Sequence, residues 1–321
     1  MPLYSGVANT FDDLRTALVD SCVAEGWVWA DSILSKGDAH VRPYVATTTT
    51  TTEGPGLIIQ GGTGKSDGNL TGASDVRPRL GRPGAWSGYE DITFPVSYNV
   101  HVFSGPDEVF LVIKYNVDRF SWLAFGLSDV PGLPGTGLWL AGIARRGYMT
   151  SSGTGNGFRI TPVLGGGSND NNIGDSTGVG FFWNSNRRTT NPNARQDCIH
   201  ANLDGEGWSG AGNGVEAGAL NAIFPVAPMV EYSPSIWAGE AVLLPILAHV
   251  WRSSTKCSLV AQVRNARYVR VDNYDPEQIE TLGDDAWIIY PFYLKNTTAR
   301  DGGQALSHSG TFGWAIRYDG A

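Results

Sequence analysis

The chain has 321 residues, of which 41% are hydrophobic and only 17% are charged, so it can bury a sizeable core and is too apolar to be disordered. Its 42 glycines and 17 prolines exclude a helical bundle, because both residue types destabilise helix interiors. The formal net charge of −8 argues against a nucleic-acid-binding protein, which requires a basic surface. With 11 tryptophans, 12 tyrosines and 12 phenylalanines, the composition predicts a mainly β fold with long turns.

Arginine outnumbers lysine by 18 to 5, which bears on the kind of surface that the chain presents. Arginine offers a planar set of hydrogen-bond donors and is enriched at protein interfaces, whereas lysine is depleted there. Together with the aromatic content and the low total charge, this predicts a chain that buries surface against protein partners. A GC-rich coding sequence would favour arginine and glycine as well, so composition alone leaves both explanations open.

Near its beginning the sequence predicts one helix, over residues 11–24. Thr10, followed three residues later by Asp13, is typical of a helix N-terminus, and Gly26 provides a stop signal. One face of this helix is apolar at the 3.6-residue period, with Phe11, Leu14, Leu18 and Cys22. We therefore expect Cys22 to be a small core residue and not a reactive thiol.

After Gly26 the apolar pattern changes to the two-residue period of β-strands. Predicted strands cover residues 27–29, 33–34, 40–52, 57–59, 98–102, 109–115, 119–126, 243–251, 259–263, 268–271 and 287–293. Turn-forming residues dominate the segment 61–91, which we expect to form a long surface loop. Several short strands at this spacing predict a β-sandwich or sandwich-like fold with one short N-terminal helix and long Gly-rich loops.

Composition divides the chain into four regions. Residues 1–60 contain the helix and β-hairpins, and residues 61–127 a loop and a hairpin that continue this N-terminal β domain. Residues 128–235 form a Gly/Ser/Asn-rich loop or insertion region, and residues 236–321 a C-terminal β region that packs on the core. The loops between residues 128 and 180 are expected to meet partners and to become ordered on docking.

The sequence offers no pattern for a disulfide, a metal site or a membrane segment. Its three cysteines are widely spaced without a CxxC pair, and its five histidines have no metal-ligand spacing. The first residues lack the basic and apolar segments of a signal peptide. The most apolar stretch, residues 241–250, is too short to span a bilayer. We therefore expect no metal ligands and no membrane insertion.

Patterns that carry catalytic chemistry are weak throughout. Residues 61–66, GGTGKS, resemble the end of a phosphate-binding loop, but Ile59 occupies a position where that loop requires glycine, so we interpret a glycine-rich turn. Cys198 and His200 lie close in sequence, yet nothing nearby would build an oxyanion hole. No motif supports the candidate carboxylates Glu206, Glu216, Asp284 and Asp285. We expect no catalytic residue and no cofactor, and hence a protein that is not an enzyme.

Two groups of motifs carry a resemblance to a known family. The C-terminal region contains VRVDNYDPEQ, TLGDDAW, PFYLKN and GTFGWAIRYDG, and the N-terminal region contains GWVW, SKG, IIQGGTG and YNVHVFSGPDEVFLVIKYNVDRFSWLAFG. Together they resemble structural proteins of tailed bacteriophages, while the Gly-rich middle and the six-threonine tract at residues 47–52 do not. The resemblance implies a component of the tail tip, baseplate or fibre-attachment region, made in the host cytoplasm and located in the virion.

The resemblance also implies the partners. These are other tail or baseplate proteins and copies of the chain itself in a ring-symmetric homo-oligomer, with no nucleic acid. The interface residues expected from aromatic and arginine enrichment are Trp122, Trp139, Arg145, Trp183, Trp208 and Trp237, with core burial as the ordinary alternative for each tryptophan.

Two further functional hypotheses stand beside this one. The second is a receptor-binding or fibre-tip protein, whose aromatic side chains stack on host-surface glycans. The third is a tail-tip hydrolase, which requires two carboxylates converging in a cleft and one raised pKa.

Overall fold

The structure, a computed structural model of the chain, describes residues 2–48, 54–81, 92–117, 119–143, 197–210, 219–221, 242–253, 256–271, 274–292 and 312–319. Within these residues it contains twenty strands and a single short helix in a sandwich-like arrangement. The predicted fold class is confirmed.

The helix, α1 (Phe11–Ala24), has the predicted bounds. The side-chain oxygen of Thr10 accepts a hydrogen bond from the N–H of Asp13 at 3.0 Å, which satisfies one of the free donors at the helix N-terminus. Asp13 in turn accepts a hydrogen bond from the N–H of Asn9 at 2.8 Å. The buried face of α1 includes Leu14, Leu18 and Cys22, as the period predicts.

The strands are numbered in chain order. They are β1 (Leu3–Ala8), β2 (Val28–Ala30), β3 (Ile33–Lys36), β4 (Ala39–Ala46), β5 (Gly56–Gly62), β6 (Gly64–Ser66), β7 (Asn69–Thr71), β8 (Arg79–Gly81), β9 (Val96–Phe103), β10 (Glu108–Asn116), β11 (Arg119–Leu127), β12 (Leu138–Gly142), β13 (Asp197–Leu203), β14 (Glu206–Gly210), β15 (Ala219–Asn221), β16 (Leu244–Ser253), β17 (Lys256–Arg270), β18 (Ile279–Leu282), β19 (Asp285–Pro291) and β20 (Phe312–Tyr318).

Three sheets contain these strands. Thirteen of them form one continuous sheet, in the order β1-β9-β10-β11-β12-β13-β14-β15-β16-β17-β20-β19-β18. A second sheet has the order β2-β3-β4-β5-β8, and β6 pairs with β7 as a separate hairpin. Within the large sheet β14 and β15 pair parallel, whereas the hairpins β9–β10, β10–β11 and β18–β19 pair antiparallel.

The large sheet folds back on itself, so that its N-terminal strands pack on its C-terminal strands. The ring of Trp314 on β20 lies 4.8 Å from the ring of Trp122 on β11 and 5.6 Å from the ring of Phe110 on β10. Trp122 also donates a hydrogen bond from Nε1 to the carbonyl oxygen of Phe292, directly after β19, at 3.2 Å. Strands β9 to β11 therefore form one layer, and β19 and β20 belong to the layer stacked on it.

The five-stranded sheet and α1 cover the opposite face of the first layer. Trp27, directly before β2, packs edge-on against Phe125 of β11 with ring centroids 5.4 Å apart. Because both faces of the central strands are covered, every residue of β10 from Glu108 to Ile113 is buried. The alternation of apolar and polar residues over 98–115 thus predicts the hairpin correctly, but no position of β10 from Glu108 to Ile113 faces solvent.

Two regions interpreted as loops contribute strands. Residues 61–91 hold β6, β7 and β8, and residues 128–235 hold β12, β13, β14 and β15. Each of these strands has only three to seven residues, so its apolar period is too short to recognise among glycines. The strand predicted over residues 40–52 ends earlier, at Ala46, and residues 49–52 lie outside the described residues, as do residues 144–180 of the expected docking loops.

One cluster of buried side chains connects the four regions distinguished by composition. Its members include Leu14, Leu111, Leu140 and Trp314, one from each region. A smaller cluster lies on the other face of the C-terminal strands and contains Val269, Val271, Trp287, Ile289 and Ala315. The described residues of all four regions therefore share a common core.

Candidate functional site

Two of the predicted interface residues lie inside this core. Trp122 and Trp139 have 0% of their surface exposed, and both pack among the aromatic rings between the two layers of the large sheet. A side chain without accessible surface adds no contact area to an interface. We therefore correct the prediction that these two residues contact a partner, and assign both to packing of the fold.

Trp208 has a mixed environment on β14. Its Nε1 donates a hydrogen bond to the carbonyl oxygen of Gly72 at 2.9 Å, and its ring lies 5.2 Å from the ring of His200. The residue is only partly buried, so it retains surface that a partner could contact. The remaining predicted interface residues, Arg145, Trp183 and Trp237, lie outside the described residues.

The segment around Cys198 and His200 is an ordinary sheet strand, β13. Cys198 is fully buried, while Nδ1 of His200 accepts a hydrogen bond from the N–H of Thr136 at 3.0 Å. Burial lowers the pKa of His200, which favours the neutral ring that can accept this bond. His200 thus fixes the connection between β11 and β12.

The GGTGKS segment lies in β-structure. Gly61 and Gly62 end β5, and β6 follows after a single residue. The turn to β7 uses Asp67 and Gly68, whose φ values of 51° and 73° place them in the left-handed region. The described residues that follow, 69–81, contain two strands and no helix whose N-terminus could bind phosphate.

The most accessible apolar side chains of the large sheet lie on its two edge strands. In the described structure β1 pairs only with β9, and β18 pairs only with β19. Val7 on β1 is 66% exposed, and on β18 Ile279 and Leu282 are 51% and 61% exposed. Each edge therefore offers unpaired backbone groups beside apolar side chains.

The two edges lie on the same side of the molecule. Ser5 of β1 donates a hydrogen bond to Asn99 of β9 at 2.6 Å, and the amide nitrogen of Asn99 donates to Glu277, just before β18, at 3.2 Å. Lys114 of β10 lies 3.5 Å from the same carboxylate. Glu277 has a φ of 66°, a conformation uncommon for a side chain of this kind. We name the surface formed by β1, β18 and Glu277 the edge surface.

Behind the edge surface lies a buried polar pair. Nε2 of His101 on β9 lies 3.0 Å from the hydroxyl of Tyr290 on β19, and both side chains are buried. Burial lowers the pKa of His101 to about 3 and raises the pKa of Tyr290, because each group is costly to charge away from water. Both are therefore neutral, and the pair links the two layers of the sheet.

Glu108 is the carboxylate that most resembles a catalytic acid by its electrostatics. Burial raises its pKa to about 7, against the opposing effect of three hydrogen bonds from Arg264 and Asn265, and the nearby charge of Asp129 raises it further. However, Glu108 is 0% exposed, and Asp129 is paired with Arg264. In this structure a substrate has no access to the Glu108 carboxylate.

Three of the carboxylates considered from the sequence lie within the described residues. Glu206 is exposed at the start of β14, Asp284 is exposed in the turn between β18 and β19, and Asp285 forms an ion pair with Arg317 at 2.6 Å. Glu216 lies outside the described residues. Sequence reasoning missed Glu108, whose only signal is an acid that directly precedes the apolar run VFLVI.

No protein-family model matches the chain, and no curated protein matches it. Within the described ranges, no three His, Cys, Asp or Glu side chains lie together as a metal-binding group. The one helix of this part of the chain lacks the length and hydropathy needed to cross a membrane.

Proposed function

We propose that the protein is a non-enzymatic structural component of a bacteriophage tail, in the baseplate, tail-tip or fibre-attachment region. It assembles there through protein–protein interfaces with other tail proteins and with further copies of itself in a ring-symmetric oligomer. The sequence motifs at both ends of the chain support this assignment. Its place is the virion, after synthesis in the host cytoplasm.

The observation that carries the proposal is the edge surface. Soluble proteins usually protect exposed edge strands with lysine, proline or a bulge, and β1 carries no charged residue and no proline. An unprotected edge can add a strand from another chain, with main-chain hydrogen bonds for affinity and alternate side chains for specificity. The exposed Val7, Ile279 and Leu282 supply apolar contact area at the same place.

The receptor-binding alternative has less support among the described residues. Binding of glycans by stacking requires aromatic rings on a free surface. Of the tryptophans whose side chains the structure describes, Trp29 is 37% accessible and Trp208 is partly buried, whereas five are buried, namely Trp27, Trp122, Trp139, Trp287 and Trp314. This distribution favours packing over ligand binding.

The edge surface gives a direct test by substitution. Val7→Lys places a charge on β1, which carries none, and a charge on an edge strand opposes pairing with another chain. We expect native mass spectrometry to show oligomers for the wild-type chain and their loss for Val7→Lys. The matched control is Val117→Lys, which puts the same charge on a side chain that is 77% exposed next to the β10–β11 turn; it should leave assembly unchanged.

The location in the tail requires a separate measurement. Mass spectrometry of purified tail sub-assemblies from the phage that encodes the chain should detect it in stoichiometric amounts. A chain that stays monomeric at high concentration and is missing from those sub-assemblies would contradict the proposal.

A further inference from the structure

The ladder pairing of β17 with its two neighbouring strands, β16 and β20, is interrupted at one place. Along β16, Pro245 pairs with Arg267 and the next residue, Ile246, pairs with Val263. Residues 264–266 therefore form a three-residue bulge, which we call the β17 bulge. On its other side β17 begins to pair with β20 only at Ala266, so that within the described strands Arg264 and Asn265 have no ladder partner on either side.

Two side chains of opposite charge take the place of the missing ladder. The Glu108 carboxylate accepts hydrogen bonds from the backbone N–H of Arg264 at 2.8 Å and of Asn265 at 2.9 Å, and from the side-chain amide of Asn265 at 2.9 Å. Nη1 of Arg267 donates to the carbonyl oxygens of Val263, Arg264 and Ala266 at 3.2, 2.8 and 2.8 Å. Because buried backbone groups need partners, these two side chains hold the bulge in place.

Glu108 makes these bonds across the two layers of the sheet. It is the first residue of β10, and its neighbours on β9 and β11 are Phe103 and Gly126, neither of which is charged. The charged side chains that act on it are Asp129, from the connection after β11, and Arg267 of β17, whereas Arg264 meets it through the backbone N–H. The bulge is thus tied to β10 by one fully buried carboxylate.

We propose that Glu108 is a protonation-controlled clasp, which holds the β17 bulge against β10 when ionised and releases the backbone of Arg264 when protonated. Oε1 of Glu108 accepts one hydrogen bond, from Arg264, whereas Oε2 accepts two from Asn265. A proton therefore binds at Oε1 at the smaller cost, and a protonated oxygen that faces an N–H donor no longer accepts its bond. The inference concerns the fold of the chain and is independent of the proposed function.

Burial raises the pKa of Glu108 to about 7, so that the change of state falls near neutral pH. The negative charge of Asp129 contributes to this rise. Replacement of Asp129 by asparagine removes that charge and should move the protonation of Glu108 to lower pH. This variant therefore tests the same equilibrium independently.

The experiment follows the amide proton of Arg264 by NMR in chain labelled with ¹⁵N-arginine, from about pH 5 to about pH 9. We expect its chemical shift to titrate with a midpoint near 7 and to move toward the value of a non-bonded amide on acidification. In Glu108→Gln the shift should stay at the acidic value at every pH. In Asp129→Asn the midpoint should be lower than in the wild type.

A matched control is available next to Glu108. Asp107 precedes it in the chain and pairs with Lys36 at 2.7 Å, so Asp107→Asn changes a neighbouring carboxylate without touching the bulge. This variant should keep the wild-type titration of Arg264. A folded wild-type chain whose Arg264 amide does not titrate over this range would overturn the proposal, and no variant is needed to obtain that result.

Discussion

At the scale of single residues, Glu108 and His101 lie on neighbouring strands, and burial shifts their pKa values in opposite directions. The pKa of Glu108 rises from 4.5 to about 7, and that of His101 falls from 6.5 to about 3. In both cases the neutral form is favoured, because a charge away from water is costly. The two groups therefore give the free energy of unfolding opposite dependences on pH.

The pH dependence of stability tests both groups. Protonated Glu108 stabilises the folded state, and this contribution to the free energy of unfolding is fully present below pH 4.5 and is lost as the pH rises through about 7. A pKa shift of this size corresponds to about 3 kcal/mol. The contribution of neutral His101 is present above pH 6.5 and is lost as the pH falls toward about 3. Between pH 4.5 and pH 6.5 the two slopes oppose each other, so Glu108→Gln should uncover a rise of stability with pH.

Urea unfolding at pH 4.5 and at pH 6.5 measures how the free energy of unfolding changes with pH in each variant. Asp107→Asn serves again as the control, since it leaves both buried groups in place. Identical pH profiles for the wild type and Glu108→Gln would show that the buried carboxylate does not titrate in this range.

Trp122 gives a second prediction at this scale. It is fully buried, and its Nε1 donates to the carbonyl oxygen of Phe292, so Trp122→Ala leaves a cavity and removes this hydrogen bond. We expect Trp122→Ala to lower the free energy of unfolding by about 3–5 kcal/mol. Trp208→Ala, at a partly exposed site, should lower it by clearly less in the same denaturation experiment. Equal and small losses would contradict the assignment of Trp122 to the core.

At the scale of elements, the two sheets pack closely where β5 crosses β12. A Cβ on Gly61 would lie 2.8 Å from Cη2 of Trp208 and 3.0 Å from Cδ1 of Leu140. These distances are shorter than ordinary contact, so the crossing depends on the missing side chain. Glycine serves here for close approach, and not for phosphate binding.

Substitution of Gly61 tests this close packing. Gly61→Ala should destabilise the chain by about 1–3 kcal/mol, because the added methyl group overpacks a filled core. The control is Gly207→Ala on β14, where a Cβ would meet only His200 at 3.9 Å. Thermal unfolding should show a lower Tm for Gly61→Ala alone; a Tm shared by both variants would mean that the crossing is loosely packed.

The elements that could be predicted from the sequence are those whose apolar pattern is long or is bounded by clear capping or turn residues. α1 has four apolar residues on one face and a capping residue, and the β9–β10 hairpin has a turn between two apolar runs. β12 is buried throughout and most of β13 is buried, but their short apolar runs are separated by glycine-rich sequence. The sequence predicts two strands in place of β17, because the polar residues of its bulge interrupt the apolar period.

At the scale of the whole molecule, the candidate sites depend on contacts that sequence periods do not encode. Glu108 meets a backbone 156 residues further along the chain, and Asn99 meets a carboxylate 178 residues away. No local sequence pattern predicts either of these hydrogen bonds, since each depends on how the large sheet folds back. The sequence could indicate an aromatic core and the family resemblance, but not which tryptophans it would bury.

The fold-back of the large sheet also has a consequence for synthesis on the ribosome. β10 and β11 can pair as soon as residue 127 has emerged, but the donors for Glu108 and the aromatic cover for Trp122 come from residues 264–314. Until then, one face of the nascent hairpin layer is apolar and uncovered. Premature termination before residue 264 would therefore leave an incompletely folded product that exposes apolar surface and is prone to aggregate.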